Sequence, residues 1–218
     1  MAEFFLELFS EEIPSSLQKN SRVSLLKLFE ENFNKKDIYF KSAISYSTPN
    51  RLVLFFDQIS EKIVQKAIKI KGPRIDAPEN AFKGFLKSNN LDESDVTQES
   101  TDKGKFYFAN IKPKTVYVNN ELPKLIPEIL KKISWSKSMR WADYELKWAR
   151  PLKSILALFN KQTINFNFYH LKSGNSTFLD KTLEENKVVI NNFKSYLKLL
   201  SKKNIILDQK IRKDFIIR

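Results

Sequence analysis

The chain has 218 residues with no cysteine, four glycines and one histidine, and its 38 Lys and Arg against 25 Asp and Glu give a formal charge of +13. This excludes disulfides and thiolate chemistry, leaves too few and too scattered glycines for a phosphate-cradling loop or a dinucleotide fingerprint, and denies any histidine-based zinc site a second His. A hydrophobic content of 42% fits a folded globular protein, and the basic balance suits a phosphate-bearing partner, although the lysines are spread along the whole length.

Residues 3–9 alternate as a strand, with Phe5 and Phe9 on one side and Phe4, Leu6 and Leu8 on the other. Both sides are apolar, so a buried strand is expected. The segment is too short and too acidic for a signal peptide, and no apolar run has the length to cross a bilayer, so a soluble, cytoplasmic protein is expected. Ser10-Glu-Glu-Ile-Pro14 predicts the start of a helix that runs to about Phe33, with Pro14 in its first turn and two carboxylates near the positive end of the dipole. Leu25, Leu26, Phe29 and Phe33 form its apolar face.

Strands are predicted over 38–46 and 51–57, separated by the turn former Thr48-Pro-Asn50. A further strand over 62–70 alternates Ile63, Ile68 and Ile70 with lysines and stops at Gly72-Pro73. A short helix follows over 79–89 around Phe82, Phe85 and Leu86, then a loop or frayed turn over 92–100. Residues 106–111 form a strand after the turn Asp102-Lys-Gly104. Leu122, Leu125, Ile126, Ile129, Leu130 and Ile133 have helical spacing over 120–133, with Pro127 predicting a kink or a later start. Strands over 138–142, 147–150, 153–159 and 162–169 lead to a helix around Phe193, Tyr196, Leu197 and Leu200, and Asp208 caps a last helix. Without a regular β-α-β repeat, these elements predict an α+β fold with a mixed, mainly antiparallel sheet and packed helices. A division near 113–120 would give two subdomains, 1–115 and 116–218.

All three tryptophans fall between Trp135 and Trp148, together with Met139, Arg140 and, just beyond, Arg150. In a chain that prefers Lys, these arginines suggest planar bidentate or stacking work. The readings are contact with a nucleic acid or a partner, and a Trp-rich core strand with Arg lids. Alternation over Met139-Arg-Trp141 puts Met139 and Trp141 on one face and Arg140 on the other, predicting a packed Trp141. Arg51, Lys71, Arg74 and Lys103 sit at turns beside strand ends and are candidates for an anion-binding rim; Arg140, Trp141 and Arg150 are candidate RNA or partner contacts.

No catalytic constellation is legible. His170 lies near Ser173 but nothing resembles a nucleophile elbow. Glu11 and Glu12 are adjacent, so their carboxylates point apart; pairing with the helix dipole, or with an amine or a partner's Arg, are the readings. No cofactor or metal site is expected in the chain. It reads as a binding or scaffolding piece, whether an RNA-binding module or a structural scaffold.

Glu7-Leu-Phe-Ser-Glu-Glu-Ile-Pro14, Thr48-Pro-Asn-Arg-Leu52, Lys71-Gly-Pro73 with Ala81 to Phe85, Lys103-Gly104, Ser138-Met-Arg-Trp141 and Ala149-Arg-Pro151 follow one another in order. With the tail from Val188 to Ile216, this set resembles the N-terminal third of the β subunit of bacterial heterotetrameric glycyl-tRNA synthetase. Asn50 stands where the family pattern has Arg, Ala142 where it has Gly, and the stretch from Ser173 to Leu179 lacks the usual Gly-His-Arg. The resemblance implies ATP-dependent attachment of glycine to tRNA(Gly) in the cytoplasm by an assembly of two α and two β subunits. It implies that glycine activation, ATP and Mg2+ belong to the α subunit, and that the β subunit binds tRNA and is needed for aminoacylation.

Overall fold

The computed structural model describes residues 2–65, 67–102, 104–111, 113–179 and 187–217. In chain order these form β1 (Ala2–Ser10), α1 (Ser15–Lys35), β2 (Ser42–Thr48), β3 (Arg51–Ile59), β4 (Lys62–Gln65), β5 (Ile68–Arg74), α2 (Glu79–Asn89), a 3-10 turn (Glu93–Asp95), β6 (Val96–Thr101), β7 (Gly104–Ile111) and β8 (Lys114–Tyr117). There follow α3 (Val118–Lys131), β9 (Met139–Arg140), β10 (Lys147–Trp148), β11 (Leu152–Phe159), β12 (Gln162–Thr163), β13 (Asn167–Phe168), β14 (Leu171–Gly174), β15 (Ser176–Phe178), β16 (Lys187–Val189), α4 (Phe193–Lys202) and α5 (Gln209–Ile217). The chain divides into two compact units, one of residues 1–63 with 117–218 and one of residues 64–116. The expected division into 1–115 and 116–218 is not the one observed, because residues 1–63 belong with the C-terminal half and only residues 64–116 stand apart.

The larger unit is built on a sheet in the order β13-β14-β11-β1-β3-β2, with β12 paired to β11. Only the β11–β14 pair is parallel among the registered pairs of this sheet, so the sheet is mixed and mainly antiparallel, as expected. β1 is central and apolar on both sides, so both faces carry helices. Phe4 on one face meets Phe29 and Phe33 of α1 and Phe56 of β3. Phe5 on the other packs with Val53, Leu156 and Leu158 against Phe193, Tyr196 and Leu200 of α4. Phe193 stacks on Phe55 at 4.2 Å between centroids.

Several boundaries differ from the sequence reading for local reasons. The α1 helix begins at Ser15 after Pro14, so Glu11 and Glu12 precede its first turn; Glu11 instead pairs with Lys153 at 3.0 Å. Asp37 takes a left-handed φ of 56°, and Ile38 folds back to donate its N–H to the Phe33 carbonyl, leaving β2 to start at Ser42. The α3 helix begins at Val118 and holds both Pro123 and Pro127. Each proline forfeits one backbone bond, but Val118, Leu122, Leu125, Ile126, Ile129 and Leu130 are all buried and keep the element helical.

In the smaller unit β7 is central in a three-stranded antiparallel sheet of order β5-β7-β6. The strand expected to stop at Gly72-Pro73 runs through them, because a register shift between Lys71 and Arg74 absorbs the residues that cannot join the ladder. Gly72 is required for close packing: a Cβ there would lie 2.9 Å from the Phe85 ring of α2. The expected loop over 92–100 contains the edge strand β6, whose polar sequence reflects a ladder with one partner only.

Candidate nucleic-acid and partner interface

Glu7 is the one acidic residue inside the apolar run of β1, and it is fully buried. Register places it beside Val53 of β3 and Leu156 of β11, on the α4 face. The Thr177 hydroxyl donates to Glu7 Oε1 at 2.6 Å, and the Tyr196 hydroxyl donates to Oε2. Arg51 Nε lies 3.2 Å from Oε2 as an ion pair, without an aligned hydrogen bond. A terminal nitrogen of Arg51 donates to the Phe178 carbonyl, and the guanidinium sits 4.8 Å from the centroid of the Phe9 ring. Burial pushes the Glu7 carboxyl above its ordinary 4.5, while Arg51 and the two hydroxyls pull it down. Burial and the neighbouring Glu7 raise the Tyr196 phenol well above its ordinary 10.0.

This network joins β1, β3, β15 and α4. Arg51 was expected on an accessible rim; it is 3% exposed and faces the core. The reason is Glu7, whose desolvated carboxyl needs a cation. The signal was in the sequence, since a Glu flanked by apolar residues on both sides within a buried strand implies a buried partner.

The Trp/Arg segment lies in the larger unit as a two-stranded ribbon, β9 with β10, in which Met139 opposes Trp148 and Arg140 opposes Lys147. Trp148 is buried and packs against Trp135 at 5.0 Å and Phe168 at 6.1 Å between centroids. Trp141 lies beyond the end of β9 and is 52% exposed, and Met139 is exposed as well. The expected packing of Trp141 is therefore corrected: the ribbon is two residues long, and Trp148 rather than Trp141 fills the core. Trp141→Ala should cost less than about 0.5 kcal/mol in a thermal melt; a loss of roughly 3–5 kcal/mol would show a buried ring instead. Arg140 is exposed. Arg150 is half-buried and donates from Nε to the Glu12 carbonyl at 3.3 Å, which ties it to the segment between β1 and α1. His170 stacks on Tyr144 at 3.6 Å, and burial lowers its pKa.

The smaller unit carries its own basic and aromatic surface. Across β7, Tyr107 faces α2 and meets Phe82 at 4.3 Å. Phe106 and Phe108 point to the opposite face, which lysines cover. Lys71 Nζ stands 3.5 Å from the Phe106 centroid and Lys69 Nζ 4.8 Å from that of Phe108. Arg74 lies 5.9 Å from Phe106 and pairs with Asp76 at 3.2 Å, both largely exposed. Lys69 also pairs with Glu99 at 2.6 Å. Lys71 and Arg74 thus share one sheet face, while Lys103 lies outside the described residues. Cations over half-buried aromatic rings can give phosphates a charge and bases a stacking surface. The sequence reading named the cations and missed Phe106 and Phe108, whose alternation with Tyr107 was the available signal.

Among the described residues no group of three His, Cys, Asp or Glu side chains is placed to hold a metal ion, and no helix is long and apolar enough to cross a membrane. The family model for the glycyl-tRNA synthetase beta subunit matches residues 4–218. The chain belongs to this family.

The match agrees with individual relatives. The glycine–tRNA ligase beta subunit of Rickettsia prowazekii (strain Madrid E) is 36% identical over 216 residues, covering 99% of this chain and 32% of that protein. Those of Rickettsia bellii (strain OSU 85-389) and Rickettsia typhi (strain ATCC VR-144 / Wilmington) are 34% and 35% identical, with 33% and 32% of their lengths covered. The chain spans about a third of the length of the curated relatives it matches. Within this glycyl-tRNA synthetase beta subunit region, the Glu7–Pro14 motif supplies the buried carboxyl and the Thr48–Leu52 motif its arginine. The Ser138–Trp141 motif supplies strand β9, and the Ala149–Pro151 motif follows β10 directly.

Proposed function

We propose that this chain is the non-catalytic N-terminal part of a glycine–tRNA ligase β subunit, working in the cytoplasm to support ATP-dependent attachment of glycine to tRNA(Gly). Its role is to bind tRNA, to dock the catalytic α subunit, or both, within an assembly of two α and two β subunits. ATP and Mg2+ act at the α subunit. The observation that carries this reading is the family match across nearly the whole chain. It is supported by exposed Arg140 and Trp141 in one unit and by Lys71 and Arg74 over Phe106 in the other.

The test is filter binding of tRNA(Gly) at several salt concentrations. Binding should weaken steadily with salt, and Arg140→Ala should lower affinity and reduce the slope of log K against log salt by about one. No retention at low salt, or a slope that Arg140→Ala leaves unchanged, contradicts the RNA contact. Docking to the α subunit is supported by one observation: Phe215, Ile216 and Ile217 on α5 are exposed. Co-purification with the α subunit and no tRNA retention would support that second reading.

A further inference from the structure

The Trp segment lines a half-open cavity of about 250 Å³ in the larger unit. Its walls include Trp135, Trp148, Phe168 and Tyr169, and Lys131 and Lys147 stand at it with a single carboxylate, Glu145. Three properties set it apart from an ordinary gap between core side chains. The indole N–H groups of Trp135 and Trp148 are both buried and have no acceptor among the described residues. Buried donors are normally satisfied, because leaving one unmet carries a desolvation penalty. Both rings line the cavity and stand 5.0 Å apart, so the two unmet donors belong to residues of its wall.

The second property is charge. Lys147 lines the cavity with Lys131, against the one carboxylate of Glu145. Lys131 Nζ lies 6.0 Å from the centroid of the Tyr169 ring, which places that cation on the same wall. The third property is shape and material: aromatic walls favour a flat ligand that gains by stacking.

We infer that this cavity receives one unpaired nucleobase of an RNA strand, with the indole N–H groups of Trp135 and Trp148 donating to its in-plane acceptors and Lys131 and Lys147 holding the adjoining phosphates. Each nucleobase offers ring-nitrogen or carbonyl acceptors at its edge and a face for stacking. A simple anion would use the lysines and leave the aromatic walls idle; a base-paired duplex would not reach the donors. The inference deepens the RNA-binding reading above and rests on it.

The three tryptophans all lie between residues 135 and 148, so intrinsic fluorescence reports this site directly. The full chain is titrated with a single-stranded RNA tetranucleotide, a fully paired RNA duplex, inorganic phosphate and tRNA(Gly). Saturable quenching by the tetranucleotide, absent with phosphate and with the duplex, is the expected result. Trp135→Phe and Trp148→Phe keep a ring while deleting the donor, and each should weaken tetranucleotide binding about tenfold with the circular dichroism spectrum unchanged. Where Trp148→Phe disturbs the fold, Trp135→Phe and Lys147→Ala decide the matter. If phosphate quenches as well as RNA, the site is an anion site and the inference fails. If tRNA binds but the phenylalanine variants and Lys147→Ala change nothing, the inference fails while the RNA reading stands. If no RNA binds at low salt, both fail.

Discussion

Arg51→Ala should lower the free energy of unfolding by roughly 3–5 kcal/mol, because it strands a buried charge in place of a buried pair. In the native protein Arg51 meets Glu7 and the Phe178 carbonyl and lies against the Phe9 ring, with only 3% of its surface exposed. Urea unfolding followed by far-UV circular dichroism measures the loss. Arg51→Lys should recover only part of it, since an ammonium cannot span the same acceptors as a planar fork. The loss should also depend on pH. Burial already raises Glu7 above 4.5, and Arg51 is the largest influence lowering it. Without Arg51 the folded carboxyl holds its proton to still higher pH, while the unfolded one releases it near its ordinary value. The folded state then binds more protons above that value. Stability is fully present below it and declines as pH rises through the raised folded pKa. The deficit of Arg51→Ala should therefore be larger at about pH 8 than at about pH 5. A deficit under about 1 kcal/mol, or one that shrinks as pH rises, would contradict this account of the network.

Phe33→Ala should be comparably damaging on the opposite face of the sheet, at roughly 3–5 kcal/mol. Phe33 is fully buried and its ring lies 5.0 Å from Phe56, 5.7 Å from Phe4 and from Phe29, and 6.4 Å from Phe40. Truncation removes its burial and deprives four aromatic neighbours of contact, and rings fixed on a central strand and a long helix can collapse little into the space. Val23 sits on the same helix and is 53% exposed, so Val23→Ala should stay within about 0.5 kcal/mol. Equal losses at the two positions would mean that α1 is not docked through its Phe29–Phe33 side.

Much of this architecture was legible because periodicity reports burial. The two-sided apolar pattern of Phe4 to Phe9 predicted a buried strand, and Leu25, Phe29 and Phe33 predicted a helix with one apolar face; both are observed. What escaped was set by partners far apart in sequence. Glu7 and Tyr196 are 189 residues apart, and no local pattern announces that a carboxyl, an arginine, a threonine and a phenol will converge. The edge strand β6 was hidden by its polarity, and β9 and β10 are too short for alternation to show which of the tryptophans packs. Arg51 was misread for a related reason: a turn next to a strand end is usually exposed, but β3 begins at Arg51 itself, in register with Phe9 of the central strand. Lys71 and Arg74 were expected at turns beside strand ends; they lie within β5 instead, beside the Phe106 ring.

The central claim is that these surfaces contribute binding to a reaction performed elsewhere. It is tested most directly in the assembled ligase by comparing two steps in a β subunit carrying Lys71→Ala, Arg74→Ala and Arg140→Ala. Glycine-dependent exchange of pyrophosphate into ATP, which needs no tRNA, should keep its rate, while the KM for tRNA(Gly) in the charging reaction should rise roughly tenfold with kcat unchanged. An unaltered KM, or a fall in the exchange rate alongside it, would contradict the claim.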